Sequence, residues 1–153
     1  MRSIETSDRL SYRRMTTDEL RRGFVVDGLF QAGRLELVYT HVDRAVVGGI
    51  VPTAEPLELK GGKELASSFF CERREAGIIN LGGPGAIVVD GTTYEMATRE
   101  CLYIRRGSRG VLFSSLHPDK PAQFYLVSYP AHTDYPTTKA GLKDANRLEL
   151  GSV

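Results

Sequence analysis

Three shortages bound what this sequence can be. Net charge is nearly absent: 20 Lys and Arg against 19 Asp and Glu leave +1 over 153 residues, without the basic surplus that a phosphate backbone demands, so no nucleic-acid partner is expected. Long apolar runs are missing. The N-terminal stretch carries Arg2, Glu5, Asp8, Arg9, Arg13, Arg14, Asp18 and Glu19 where a signal peptide needs an uncharged core, and no later stretch approaches the ~18 apolar residues of a membrane span. No membrane association and a cytoplasmic location are therefore expected. Cysteine occurs only at Cys71 and Cys101, both in apolar, strand-like surroundings, which reads as two free core thiols and not as a disulfide framework.

What remains is the text of one globular domain. At 41% apolar content and this length the chain can bury roughly 68–70% of its unfolded surface in a single core without staples. Thr16-Thr17-Asp18-Glu19 has the capping-box spacing of a helix start, and Gly23 is expected to end that helix. From residue 24 the period changes to short runs rich in Val, Ile, Tyr and Phe, broken by Gly, Pro or Asp-Gly. Strands are expected near 24–30, 34–42, 45–52, 67–72, 76–81, 85–89, 92–96, 101–104, 110–116 and 122–129. Asp90-Gly91 gives the strongest hairpin signal, since a type I′ turn needs positive φ at both central residues. Short strands at this rhythm with one terminal helix predict an all-β fold, a closed sandwich or jelly-roll barrel, and Glu75 to Gly82 and Asp90-Gly91 resemble parts of the two cupin motifs, so a cupin-like jelly-roll barrel with a short N-terminal helix is expected. Residues 1–138 are assigned to the barrel and an extended arm, and 139–153 to a linker stub.

Barrels of this type hold a metal with two histidines two residues apart, a following glutamate, and a third histidine from a later strand. Glu75 stands seven residues before Gly82 and matches the glutamate by type. The histidine pair would fall at Phe69 and Cys71, or at Ser68 and Phe70, and the last ligand at Gly110. None is histidine. One carboxylate and at best one thiolate are too few for a four-ligand site, so no metal is expected on this segment.

The runs YTHVDRAVVGGIVP (39–52), FFCERREAGIINLGGPGAIVVDG (69–91), LYIRRG (102–107) and PAHTDYPT (130–137) resemble the 4-deoxy-L-threo-5-hexosulose-uronate ketol-isomerase family. The resemblance is collinear over almost the whole chain. It implies a longer protein of two tandem barrels, with zinc held in the C-terminal barrel by three histidines and a glutamate, and this chain as the metal-free N-terminal half. The chain ending at Val153 is read as a fragment running into the linker between barrels. The implied reaction converts 5-keto-4-deoxyuronate to 3-deoxy-D-glycero-2,5-hexodiulosonate in pectin and uronate degradation, with the segment inactive alone. The resemblance also implies a homo-oligomer, a hexamer in the family, and a small-molecule sugar acid as substrate. The alternative is a non-enzymatic cupin-like module that binds a sugar acid or mediates oligomerisation.

Within the chain the substrate-binding candidates are Arg73, Arg74 and His41; no catalytic residue is assigned. Glu72-Arg73-Arg74-Glu75 places an arginine fork beside a strand, suited to the carboxylate of a uronate, against the plainer reading of rim ion pairs. Arg105-Arg106 carries the same ambiguity. His41 shares an expected strand face with Tyr39 and Asp43, as a polar patch or as a buried histidine satisfied by a carboxylate. His117 reads as an exposed turn residue. His132 lies in a proline-rich arm expected to cross the second barrel or a neighbouring subunit. Gly48-Gly49 and Gly82-Gly83-Pro84-Gly85 read as barrel bends, since no lysine and no helix start follow to make a phosphate loop.

Overall fold

The computed structural model describes residues 1–148, 150 and 151. Among them the strands are β1 (Arg2–Ile4), β2 (Arg34–Thr40), β3 (Val46–Val51), β4 (Leu57–Glu58), β5 (Arg74–Asn80), β6 (Gly85–Val89), β7 (Thr92–Met96), β8 (Cys101–Ile104), β9 (Val111–Ser115), β10 (Phe124–Pro130) and β11 (Thr138–Ala140). They form two sheets, ordered β1-β2-β3-β10-β5-β8-β11 and β4-β9-β6-β7. Only β1 on β2 is parallel; the other pairings are antiparallel. The fold is the all-β, cupin-like barrel with one short helix that the sequence predicts.

Helix α1 (Thr17–Phe24) begins at the expected capping box: Glu19 N–H donates to Thr16 Oγ1 at 3.3 Å, and Thr16 N–H donates to the Glu19 carboxylate at 2.7 Å. It runs one residue past Gly23. The expected strand at 24–30 is absent, because Phe24 closes the helix and the following segment lies across β3 outside both sheets. There the Leu29 carbonyl sits so close to Gly49 that a Cβ on that glycine would be 2.4 Å from it. Facing residues of the two sheets interdigitate into one apolar core that includes Ile50, Phe70, Ile78, Ile87, Met96, Leu102, Phe113, Phe124 and Leu126. Burying each of these large side chains stabilises the fold by about 1.5–3 kcal/mol.

The two ends of the barrel differ. At one end Asn80, fully buried, donates to Gly83 O at 2.8 Å and Met96 O at 2.9 Å while its Oδ1 accepts from Gly82 N, which locks the glycine bend between β5 and β6. At the other end the expected strand 67–72 is replaced by a 3₁₀ turn, Phe70–Glu72. The Glu72 carboxylate takes the Ser68 N–H at 2.5 Å, and Glu72 N–H donates to Phe69 O at 3.3 Å, so backbone groups a ladder would need are already used. The tail returns to the sheet as β11, antiparallel to β8 and crossing the expected boundary at 138. Beyond it lies the 3₁₀ turn Leu142–Asp144, and Glu149, Ser152 and Val153 of the expected linker fall outside the described residues.

Candidate functional site

Strand polarity decides what faces the barrel interior. On β5, Arg74, Ala76, Ile78 and Asn80 are buried, so Glu75 points to the outer side of the sheet. There Tyr103 on β8 donates its hydroxyl to the Glu75 carboxylate at 2.8 Å. Partial burial, followed by that hydrogen bond and the neighbouring carboxylates, pushes the Tyr103 phenol up to about 12. Cys71 does face inward, 1% exposed, and burial pushes its thiol up to about 12 against the weaker pull of the Arg74 charge. A metal ligand must be the thiolate, which this pocket disfavours. Ser68, Phe69, Phe70 and Gly110 add a hydroxyl, two rings and a hydrogen. Among the described residues no three His, Cys, Asp or Glu side chains gather around one point. These donors do not fit a zinc ion.

The polar feature at this end of the barrel is cationic. A cavity of about 170 Å³ is lined by Tyr39, Arg44, Glu64, Leu65, Ser67, Phe70, Arg73, Arg74 and Pro130. Arg74 is 6% exposed. Its Nε donates to Ser128 Oγ at 2.7 Å, and its Nη2 donates to Ser128 O and Arg44 O, each at 2.9 Å. The Phe70 ring lies under the guanidinium at 5.5 Å. Among the described residues no carboxylate pairs with Arg74. Burial lowers its pKa, partial compensation comes from Tyr39 and Cys71, and Arg44 adds a like-charge push in the same downward direction.

Arg44 is held there by an unusual turn. Asp43 and Arg44 both adopt left-handed backbone, φ 52° and 53°, where L-residues with a Cβ are disfavoured. Each such residue costs about 1–3 kcal/mol. The Ser67 hydroxyl, also of the lining, is buried and has no hydrogen-bond partner among the described residues. Arg73 is exposed at the rim, 3.7 Å from Glu72.

Of the residues singled out in the sequence, Arg73 and Arg74 share the cavity. His41 does not line it. β2 stops at Thr40, so His41 does not share a strand face with Asp43; it is exposed, edge-on to the Tyr39 ring at 5.3 Å and 3.3 Å from Ser3 Oγ. A buried, carboxylate-fixed histidine is therefore excluded. Arg105 pairs with Asp134 of the arm, and Arg106 donates to Ala131 O at 3.1 Å, so these two tie the arm down. His117 and His132 are exposed on separate loops.

Residues 24–153 match the KduI/IolB family. The chain belongs to that family. A KduI/IolB relative from Formosa agariphila, named 4-deoxy-L-threo-5-hexosulose-uronate ketol-isomerase, is 49% identical over 90% of this chain and 49% of its own length. A relative of the same name from Kineococcus radiotolerans is 51% identical over 90% of this chain and 50% of its own. The chain thus spans about half the length of the curated relatives it matches. Among solved structures, the cupin domain of an XRE family transcriptional regulator from Enterobacter cloacae superimposes with a TM-score of 0.50 at 8% identity, over 65% of this chain and 97% of that one. That likeness concerns the fold alone.

Ser67 and Ser128 carry no site signal in this family member's sequence, and Tyr39 enters only as a neighbour of His41 on an expected strand face. Ser128 sits in an alternating strand as one more small residue, and nothing local tells it apart from a core position. Only the pairing of β10 with β5 reveals it as the partner of Arg74.

Proposed function

We propose that this chain is one barrel of a sugar-acid ketol-isomerase that converts 5-keto-4-deoxyuronate to 3-deoxy-D-glycero-2,5-hexodiulosonate in uronate breakdown. The observation that carries the reading is the 49–51% identity to relatives of that name across 90% of the chain. The reaction moves a proton between neighbouring carbons, which requires a base and polarisation of a carbonyl. Neither role fits the barrel's interior, whose buried polar and charged side chains among the described residues are Arg74, Asn80, Ser108 and Ser128, none of them a carboxylate or an imidazole. We assign to this barrel the shaping and assembly of the enzyme, with catalysis completed by the remainder of the isomerase and any zinc bound outside this barrel. A homo-oligomer, a hexamer, is read from the family resemblance alone. No helix among the described residues is long and apolar enough to cross a membrane.

A chimera tests this reading. The aligned 137 residues of the Formosa agariphila relative are replaced by this chain, and turnover of 5-keto-4-deoxyuronate is measured beside zinc content and folding by circular dichroism. The expected chimera is folded and active, while this polypeptide alone is folded and inactive. A folded, zinc-replete chimera without turnover, or turnover by this polypeptide alone with one zinc per chain, overturns the assignment.

A further inference from the structure

We propose that the cavity at the cationic end of the barrel is a binding site for a small carboxylate, held by Arg74, Arg73 and Arg44 with the Ser67 hydroxyl as a further donor. The inference stands on the cavity alone and survives the loss of the isomerase reading. Three guanidinium groups and one carboxylate, Glu64, line about 170 Å³, and Glu72 pairs with Arg73 at 3.7 Å, so among the described residues Arg44 and Arg74 are the lining cations without an ion pair. A buried charge normally has a counter-charge. Arg74 has none among the described residues, and its Nη1 donates to no protein acceptor. The Ser67 Oγ is buried without a hydrogen-bond partner, and a buried polar atom of that kind points to a missing one.

The surroundings give the ligand its chemistry. Arg44 reaches the site only through two consecutive left-handed residues, and its carbonyl is itself an acceptor for Arg74, so this turn positions a second cation against the first. Like charges brought together in a half-enclosed space are stabilised by an anion between them. The volume is below that of pockets for drug-sized ligands, which limits the occupant to a carboxylate with a few attached carbons, or to the acid end of a longer molecule. The Phe70 ring and Leu65 supply an apolar wall for those carbons. Side-chain guanidinium and hydroxyl donors line the space, without a glycine-rich loop or a helix start of the kind that cradles phosphate.

The test is calorimetric titration of this polypeptide with sodium D-galacturonate, glycolate, inorganic phosphate and neutral D-galactose. Galacturonate is expected to bind saturably and roughly tenfold more tightly than galactose, the worth of one charge-assisted hydrogen bond. Arg73→Gln and Ser67→Ala, at positions that hold no core contact of the fold, are expected to weaken it by at least about threefold each, and Arg74→Met to abolish it. Glycolate binding as tightly as galacturonate supports the carboxylate site and identifies a short acid as the source. Tighter binding of galacturonate identifies a sugar acid. The proposal is overturned by the absence of saturable carboxylate binding, by phosphate binding as tightly as either acid, or by affinities that Arg73→Gln and Ser67→Ala leave unchanged.

Discussion

Arg74 on β5 donates through Nε to Ser128 Oγ on β10 at 2.7 Å, and the same serine hydroxyl donates a hydrogen bond to the backbone carbonyl of Glu75. One hydroxyl thereby serves as acceptor for a buried cation and as donor to the neighbouring strand. Because Ser128 pairs with Ala76 in the β10–β5 ladder, the contact is set by strand register and not by loop geometry. Ser128→Ala keeps the ladder but leaves the Arg74 Nε–H unsatisfied where water is excluded. A loss of about 1.5–3 kcal/mol is expected in urea unfolding, as for a hydrogen bond to a charged group. Ser114→Ala, which removes a weaker contact to Ala86 O at 3.4 Å, is the control and is expected to cost less than about 1 kcal/mol. Equal costs for the two variants would refute the view that Ser128 anchors the arginine.

Two glycines separate crowding from backbone conformation. Gly49 has an ordinary backbone, yet a Cβ there would meet the Leu29 carbonyl at 2.4 Å. Gly91 has φ +85° and open space around it. Gly91→Ala is expected to cost about 1–2 kcal/mol from the left-handed conformation alone, with amide exchange of the 25–33 segment unchanged. Gly49→Ala must push that segment off β3 or strain the strand, at about 1–3 kcal/mol. Faster exchange across 25–33 in Gly49→Ala, and not in Gly91→Ala, is the expected pattern. Unchanged exchange in both sinks the packing account of why the expected strand at 24–30 does not form.

The cysteines differ in reach. Cys71 is buried with its thiol pushed up to about 12, whereas Cys101 lies half-buried on the outer side of β8. Reaction with an aromatic disulfide reagent at pH 8 is expected to show one fast thiol in the native protein and two after denaturation. Cys101→Ser should abolish the fast phase. A fast phase that persists in Cys101→Ser would mean that the core around Cys71 opens readily.

Much of the barrel was legible because short runs rich in β-branched and aromatic residues, bounded by turn residues such as Asp90-Gly91, report strands directly: 85–89, 92–96 and 101–104 coincide with β6, β7 and β8. β1, β4 and β11 have two or three residues each, too few to show any period. The segment 67–72 misled for a different reason. Its Ser-Phe-Phe-Cys run has strand composition, but the Glu72 side chain captures the Ser68 amide and bends the chain. That Ser68, Phe69, Phe70, Cys71 and Gly110 are not histidines is a matter of residue type, which needs no fold to read. The cationic cavity was legible in half: Arg73 and Arg74 stand together in the sequence, while Arg44, Ser67 and Ser128 join them only through strand pairing and two left-handed residues. His41, drawn in by alternation from Tyr39, falls outside because β2 ends at Thr40.

The same two raised acids set a pH limit on the fold. Cys71 and Tyr103 ordinarily release their protons near 9.0 and 10.0, and in the folded protein both hold them to about 12. The unfolded chain therefore binds fewer protons than the native one between those values, and stability falls as pH rises. Their contribution is complete below pH 9 and is lost progressively towards pH 12, the reverse of the carboxylates Asp8 and Glu19, whose lowered pKa values make their contribution fail only in acid. Urea midpoints measured at pH 8, 9, 10 and 11 are expected to decline steadily. Cys71→Ala keeps the core small and apolar but removes one of the two titrating groups, so its decline should be shallower even though its midpoint at pH 8 is lower. Tyr103→Phe should flatten the upper part of the curve, above pH 10, and leave the lower part unaffected. Parallel curves for wild type and Cys71→Ala would show that the thiol keeps an ordinary pKa in the folded state, and with it that the interior around Cys71 is wetter than its 1% exposure implies.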